Sequence, residues 1–317
     1  MSVSALFLTA QGRLRSGWRA ALFLVLLTTF AEVAQVIVAL PGYLLPARDS
    51  SAIAAGEIPL TWVSIVIAGL AAHLVMLVFV DRTGWSYVGL APREASARRV
   101  ATGFALGALA IGIPCVLLLG VGWLGLVRDP ASGARVWREL ATVLAVLIPA
   151  AFAEELMMRG YLLSALSDGM GRVAALIVTS VVFALLHVSN PGMEPGALVV
   201  VGLAGVFLGA VRFATSSLYA AWAAHLAWNG VLGLVLHALV SGADMADAGW
   251  RTRDTGPDWA TGGTWGPEGG VPAALGLLVA TWYLIGRHRA AFGGLAFTRS
   301  RREPDAGMRP HEGGTRA

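Results

Sequence analysis

Long apolar runs dominate this chain. Uninterrupted hydrophobic stretches cover 20–40, 60–80, 101–127, 140–163, 173–188, 197–211, 218–240 and 271–285, each bounded by Arg, Pro, Gly or acidic residues. A bilayer core of ~30 Å takes about twenty helical residues to cross, so runs of this length and purity predict transmembrane helices rather than the core helices of a soluble domain. Composition points the same way: 56% of the 317 residues are hydrophobic, 13% are charged and the mean hydropathy is +0.70, which excludes an ordinary soluble enzyme. The expected fold class is all-α, a polytopic membrane bundle of about eight transmembrane helices. The sixth and eighth runs hold only 15 residues each, short of the usual ~17, and are expected to tilt differently or to borrow flanking residues.

The first run follows Arg13, Arg15 and Arg19 as a signal peptide would, but its 21 residues exceed the ~7–15 of a signal core, and it is read as a span. All 23 basic residues are arginine. Sixteen fall in the N-terminus, in 81–100, 164–172, 212–217 and after 286, against six in the opposite set of loops, Arg48, Arg128, Arg135, Arg138, Arg251 and Arg253. That bias puts both termini on the cytoplasmic side of the inner membrane. The high pI therefore reports loop placement; no basic helix or zinc-knuckle spacing supports a nucleic-acid partner. The single cysteine, Cys115, excludes an intramolecular disulfide and a cysteine-built zinc cluster. Gly103-x-x-x-Gly107 and Gly205-x-x-x-Gly209 would let helices approach closely.

An ionisable side chain at bilayer depth costs ~2.5–3.5 kcal/mol on insertion scales, so each one needs a partner or a purpose. The candidates are Glu32, His73, Glu154, Glu155, Arg159, His187, His225 and His237, with the amides Gln35 and Asn229. Glu155 precedes Arg159 by one helical turn and can neutralise it, while Glu154, rotated by ~100°, must face something else. Pro149, a few residues earlier, is expected to kink the helix and admit water. His225 and Asn229 share a helical face and project two hydrogen-bond donors together. Taken singly, each motif also reads as a surface Glu–Arg pair, an interfacial histidine before Ser189-Asn190-Pro191-Gly192, or a polar clasp between helices. Three spans carrying a carboxylate, an imidazole, and an imidazole with an amide favour convergence on one wet pocket. His73, His237, Glu32 and Gln35 lack such spacing and are expected to pack or to hydrogen-bond between helices, Glu32 being the first candidate for an exception.

The order Glu154-Glu155-x-x-x-Arg159, Phe183-x-x-x-His187, His225-x-x-x-Asn229 resembles the CPBP family, the CAAX-protease and bacteriocin-processing (Abi) intramembrane proteases that include the type II CAAX prenyl endopeptidases. The resemblance covers about 140–240; together with the composition of the flanking segments it divides the chain into N-terminal helices (1–130), a catalytic core (131–240), an outside loop with the last helix (241–286) and a disordered Arg-rich cytoplasmic tail (287–317). It implies a hydrophilic cavity inside the membrane in which Glu154 and His187 activate water, His225 and Asn229 form the oxyanion site, and Glu155 and Arg159 support them. Amide hydrolysis needs a base, oxyanion donors and a proton for the leaving amine, and these side chains can supply all three.

A zinc site built on His187, His225 and Glu154 or Glu155, with water as fourth ligand, is the alternative. The metal-free version is preferred because no His-Glu-x-x-His helix is present. Two rivals come from other classes: a scaffold that binds a peptide or lipid without turnover, and a proton-coupled transporter, which would usually carry inverted repeats that are not detectable. The expected partners are a peptide or lipidated protein substrate and membrane lipids; the sequence does not specify oligomeric state. The depth of His187 is a difficulty: it lies ~9 Å outward from the middle of the fifth run, so tilt or shifted span limits must bring it level with Glu154.

Overall fold

The computed structural model describes residues 6–44, 50–128, 133–245 and 249–293. Its principal helices are α1 (Ser16–Leu44), α2 (Ser50–Val75, continued by the π-helical stretch Met76–Val80), α3 (Ala97–Gly120), α4 (Gly133–Glu155), α5 (Leu163–Met170), α6 (Arg172–Leu186), α7 (Pro195–Thr215), α8 (Leu218–Gly230) and α9 (Val271–Arg287). A π-helical turn, Leu156–Leu162, joins α4 to α5, and another, Val231–Leu236, extends α8. The one sheet among the described residues is a pair of antiparallel strands, β1 (Leu124–Arg128) and β2 (Trp250–Asp254). Most of the tail read as 287–317 lies outside the described residues.

The helical membrane bundle expected from the apolar runs is present. Six stretches are long and apolar enough to cross a membrane, Ser16–Leu40, Pro59–Val80, Ala97–Gly120, Val136–Met170, Pro195–Thr215 and Leu218–Leu236, and two apolar helices are shorter, Arg172–Leu186 and Val271–Arg287. Large apolar side chains such as Val116, Leu117, Val279 and Trp282 are more than 60% exposed on the outer faces, an inside-out pattern suited to lipid contact.

The sixth run borrows flanking residues, as expected: its helix has 21 residues, opening at Pro195 and continuing past the buried Arg212 to Thr215. The eighth extends to 17 residues as α9, while α6, with 15, closes at Leu186.

The loops assigned to one side by their arginines do meet at one end of the bundle. Arg19 bonds Asp81 at 2.6 Å and Asp168 at 2.9 Å, Tyr87 donates to Asp168 at 2.8 Å, and Ser217 donates to the Glu94 carbonyl at 2.6 Å. The β1/β2 pair and the loops around Gly192, Gly242 and Thr264 sit together at the other end.

Glycines set the closest helix contacts. A side chain at Gly103 or Gly107 would overlap the backbone of Ala220 or Ala224, so α3 lies directly against the part of α8 that precedes His225. Gly205 likewise packs on Ser180, bringing α7 onto α6. Two large apolar cores result, one around α1, α2 and the π turn after α4, the other among α3, α7, α8 and α9, with a small third cluster of Leu118, Leu124 and Ala260.

The helical dihedrals of the Glu154 segment break at Gly160, a position the sequence did not single out. The α-helix runs through Pro149, whereas Gly160 has a non-helical ψ of −116°. There the Tyr161 N–H leaves the helical ladder and donates to His73 Nε2 at 3.0 Å, and the other ring nitrogen donates to the Gly69 carbonyl at 2.7 Å. His73 is thus an interhelical hydrogen-bonding residue, buried beside Phe23 and Tyr161. A Cβ on Gly160 would overlap the His73 ring. Gly160→Ala is expected to destabilise the protein by about 1–3 kcal/mol. Thermal denaturation in detergent should show a smaller penalty for the same substitution in a His73→Ala background, where the ring no longer obstructs it.

Candidate active site

The π turn after Glu155 and the early end of α6 bring the polar groups to one level. At ~1.5 Å per residue the 15-residue α6 spans ~22 Å, less than a ~30 Å bilayer core, so a residue just beyond its last turn still lies at membrane depth. His187 is that residue, the C-cap of α6. The expected depth mismatch does not keep the two groups apart, since His187 Nε2 stands 4.0 Å from Glu154 Oε2.

The His187 ring is aimed by its own helix. Nδ1 lies 2.8 Å from the Phe183 carbonyl; a carbonyl only accepts, so Nδ1 carries the hydrogen and neutral His187 presents a lone pair on Nε2. That atom is 4.0 Å from Glu154 Oε2. His225 is held in the same way, with Nδ1 3.1 Å from Glu155 Oε1 and Nε2 3.8 Å from Glu154 Oε2. Glu154 Oε2 is buried without a hydrogen-bond partner. Separations of 3.8 and 4.0 Å exceed a direct hydrogen bond, and a water touching all three atoms would satisfy the orphaned oxygen.

Beneath this triangle lies a buried ion pair. Arg159 bonds Glu155 Oε1 at 3.1 Å and the Gly205 carbonyl at 3.2 Å, and its guanidinium lies 4.2 Å from the centre of the Phe183 ring. Glu155 is fully buried and Arg159 is 1% exposed. Arg159 therefore ties α4 to α6 and α7, and Glu155 passes that order to His225. Asn229, one turn beyond His225, is also buried and lines the same cavity as His187 and His225. All six residues singled out from the sequence gather here. Glu32 lies on an exposed face of α1, Gln35 is half-buried on the same helix, and His237 packs on Trp250 beyond α8, away from the site.

As they stand, Glu154 and the two imidazoles are spaced more widely than the ligands of one zinc. Two ligands at ~2.0–2.1 Å from a tetrahedral zinc stand about 3.3 Å apart, closer than Glu154 stands to either imidazole. Among the described residues no group of three or more His, Cys, Asp or Glu has the arrangement to hold a metal ion.

Sequence reasoning missed Glu268. It is buried in the loop before α9 and lines the cavity with His187, His225 and Asn229. Its carboxylate accepts from Trp228 Nε1 at 2.6 Å and from the Ser241 backbone N–H. It escaped notice because it lies outside the apolar runs, in a segment with no motif. Burial pushes the Glu268 carboxyl up from its ordinary 4.5, against the lowering effect of these two donors. The folded chain then keeps a proton that the unfolded chain loses above pH 4.5, so the contribution to stability is complete below that pH and declines as pH rises through the folded value. Glu268→Gln, which does not titrate, should gain in melting temperature relative to wild type between pH 4.5 and neutrality.

Residues 136–231 match the family model of type II CAAX prenyl endopeptidase Rce1-like proteins. No curated protein and no solved structure matches the chain. The matched segment contains Glu154, Glu155, Arg159, His187, His225 and Asn229, and leaves out His73 and Glu268.

Proposed function

We propose that this CAAX-protease relative is an intramembrane endopeptidase that cleaves a peptide bond in a prenylated or otherwise membrane-associated substrate, using water activated by Glu154 and His187. It is read as a multi-pass protein of the inner membrane with both termini in the cytoplasm. The observation that carries the mechanism is the orphaned Glu154 Oε2, facing two imidazole nitrogens across the span of one water.

In this mechanism the water donates one hydrogen to Glu154 and the other to His187 Nε2, so its remaining lone pair points at the scissile carbonyl. Glu154 takes the proton as the oxygen attacks. The tetrahedral oxyanion accepts hydrogen bonds from the Asn229 amide and from protonated His225 Nε2, whose ring Glu155 holds in place. Collapse breaks the C–N bond as Glu154 returns its proton to the departing nitrogen, leaving a carboxylic acid that passes its remaining proton to the amine. No enzyme adduct forms and no metal takes part in any step.

The test uses purified full-length protein in lipid nanodiscs. Comparing membrane-peptide profiles with and without enzyme identifies substrates, and cleavage in ¹⁸O-water should place one heavy oxygen in each new carboxyl terminus. Strong chelators should leave the rate unchanged. Stoichiometric zinc in the purified protein, lost in His187→Ala, would overturn the metal-free reading and support its zinc-dependent counterpart.

A further inference from the structure

Resting on the endopeptidase reading, we infer that the cavity between the histidines and Glu268 is a side-chain subsite that selects a basic residue flanking the scissile bond. The cavity has room of about 40 Å³, enough for about three waters or for the cationic head of one long side chain. His187, His225 and Asn229 form its near wall and Glu268 and Ser241 line it as well. A peptide carbonyl placed at Asn229 therefore has a neighbouring side chain at the cavity mouth.

The rest of the lining is apolar, with Val200, Ala204 and Phe207 of α7 and Leu277 of α9. Such walls suit the methylene stem of lysine or arginine. Glu268 supplies the counter-charge. Its oxygens are held by neutral N–H donors, and it forms no ion pair with arginine among the described residues. Leaving a buried carboxylate without a cation is costly, and burial pushes its proton affinity up accordingly. An arriving ammonium relieves that penalty. An acidic side chain would add a like charge in the same small volume, which selects against it.

Trp228 explains why the position is held so firmly. Its indole bonds Glu268 directly, and it precedes Asn229 on α8. The carboxylate is thereby fixed relative to the proposed oxyanion donor, so charge selection and carbonyl placement share one helix.

A proteome-derived peptide library digested by the full-length protein in nanodiscs reads the preference, with Glu154→Gln as the background. Wild type should favour lysine or arginine over norleucine at one flanking position by about tenfold or more, and Glu268→Gln should erase that ratio. Ala204→Phe, which narrows the cavity without touching the carboxylate, should shift cleavage toward Gly and Ala at the same position. On the unmutated enzyme, n-butylammonium should inhibit where butanol at equal concentration does not, a readout independent of how any variant folds. Cleavage with no basic preference, or with a preference that survives Glu268→Gln, or equal effects of butylammonium and butanol, overturns the subsite alone. Absence of any cleavage above the Glu154→Gln background overturns the endopeptidase reading and the subsite with it.

Discussion

Glu154→Gln should lower peptide-bond hydrolysis by about 10³–10⁴-fold while the bundle stays folded. The amide keeps the shape of the carboxylate but cannot take a proton from water, and among the described residues no other carboxylate lies within 4.0 Å of both His225 and His187. Glu155 cannot substitute, because its Oε1 is already committed to Arg159 and His225. The measurement is single-turnover cleavage of a substrate identified from the membrane-peptide comparison, alongside a melting curve. A phenotype that survives the substitution, with no difference in membrane peptides between the two proteins, would favour a binding scaffold. Loss of activity together with loss of the folded bundle would mean that the glutamate is structural.

Arg159→Met should have the largest effect on stability, about 3–5 kcal/mol. The guanidinium is the cation against Glu155, and both groups are removed from solvent. Its removal leaves the buried carboxylate with His225 as its remaining partner and frees the Gly205 carbonyl that tethers α7. Adding Glu155→Gln to Arg159→Met should recover part of the loss, since the buried charge is then gone, although His225 would still lose the strength of its anchor. Unfolding in mixed micelles, followed by tryptophan fluorescence across the four-variant cycle, measures that coupling. Additive losses would show that the pair contributes no more than its separate packing.

Much of this site was legible before any coordinates, for a reason specific to membranes. Lipid depth penalises charge so strongly that the few polar groups in apolar runs identify themselves, and Glu154, Glu155, Arg159, His187, His225 and Asn229 all came from that filter. Helical spacing correctly paired Glu155 with Arg159. The filter cannot see outside the runs, and Glu268 was therefore invisible to it. Pro149 drew attention as the site of a kink, while the break in helical dihedrals at Gly160 went unread, because its partner is an imidazole from α2 that accepts the Tyr161 N–H. No local rule contains that partner, which is distant in sequence.

Composition and periodicity by themselves determined a helical membrane bundle, the approximate limits of its helices, and which side chains could not be idle in lipid; all of these follow from transfer energies that each segment meets alone. Tertiary structure decided the rest. The glycine contacts of α3 with α8 and of α7 with α6 set how near the helices come, the packing of α6 against the Glu154 segment brought His187 to within 4.0 Å of Glu154, and the loop before α9 brought Glu268 to the same cavity. Those outcomes depend on atoms from distant segments competing for one volume, and no segment carries that information on its own.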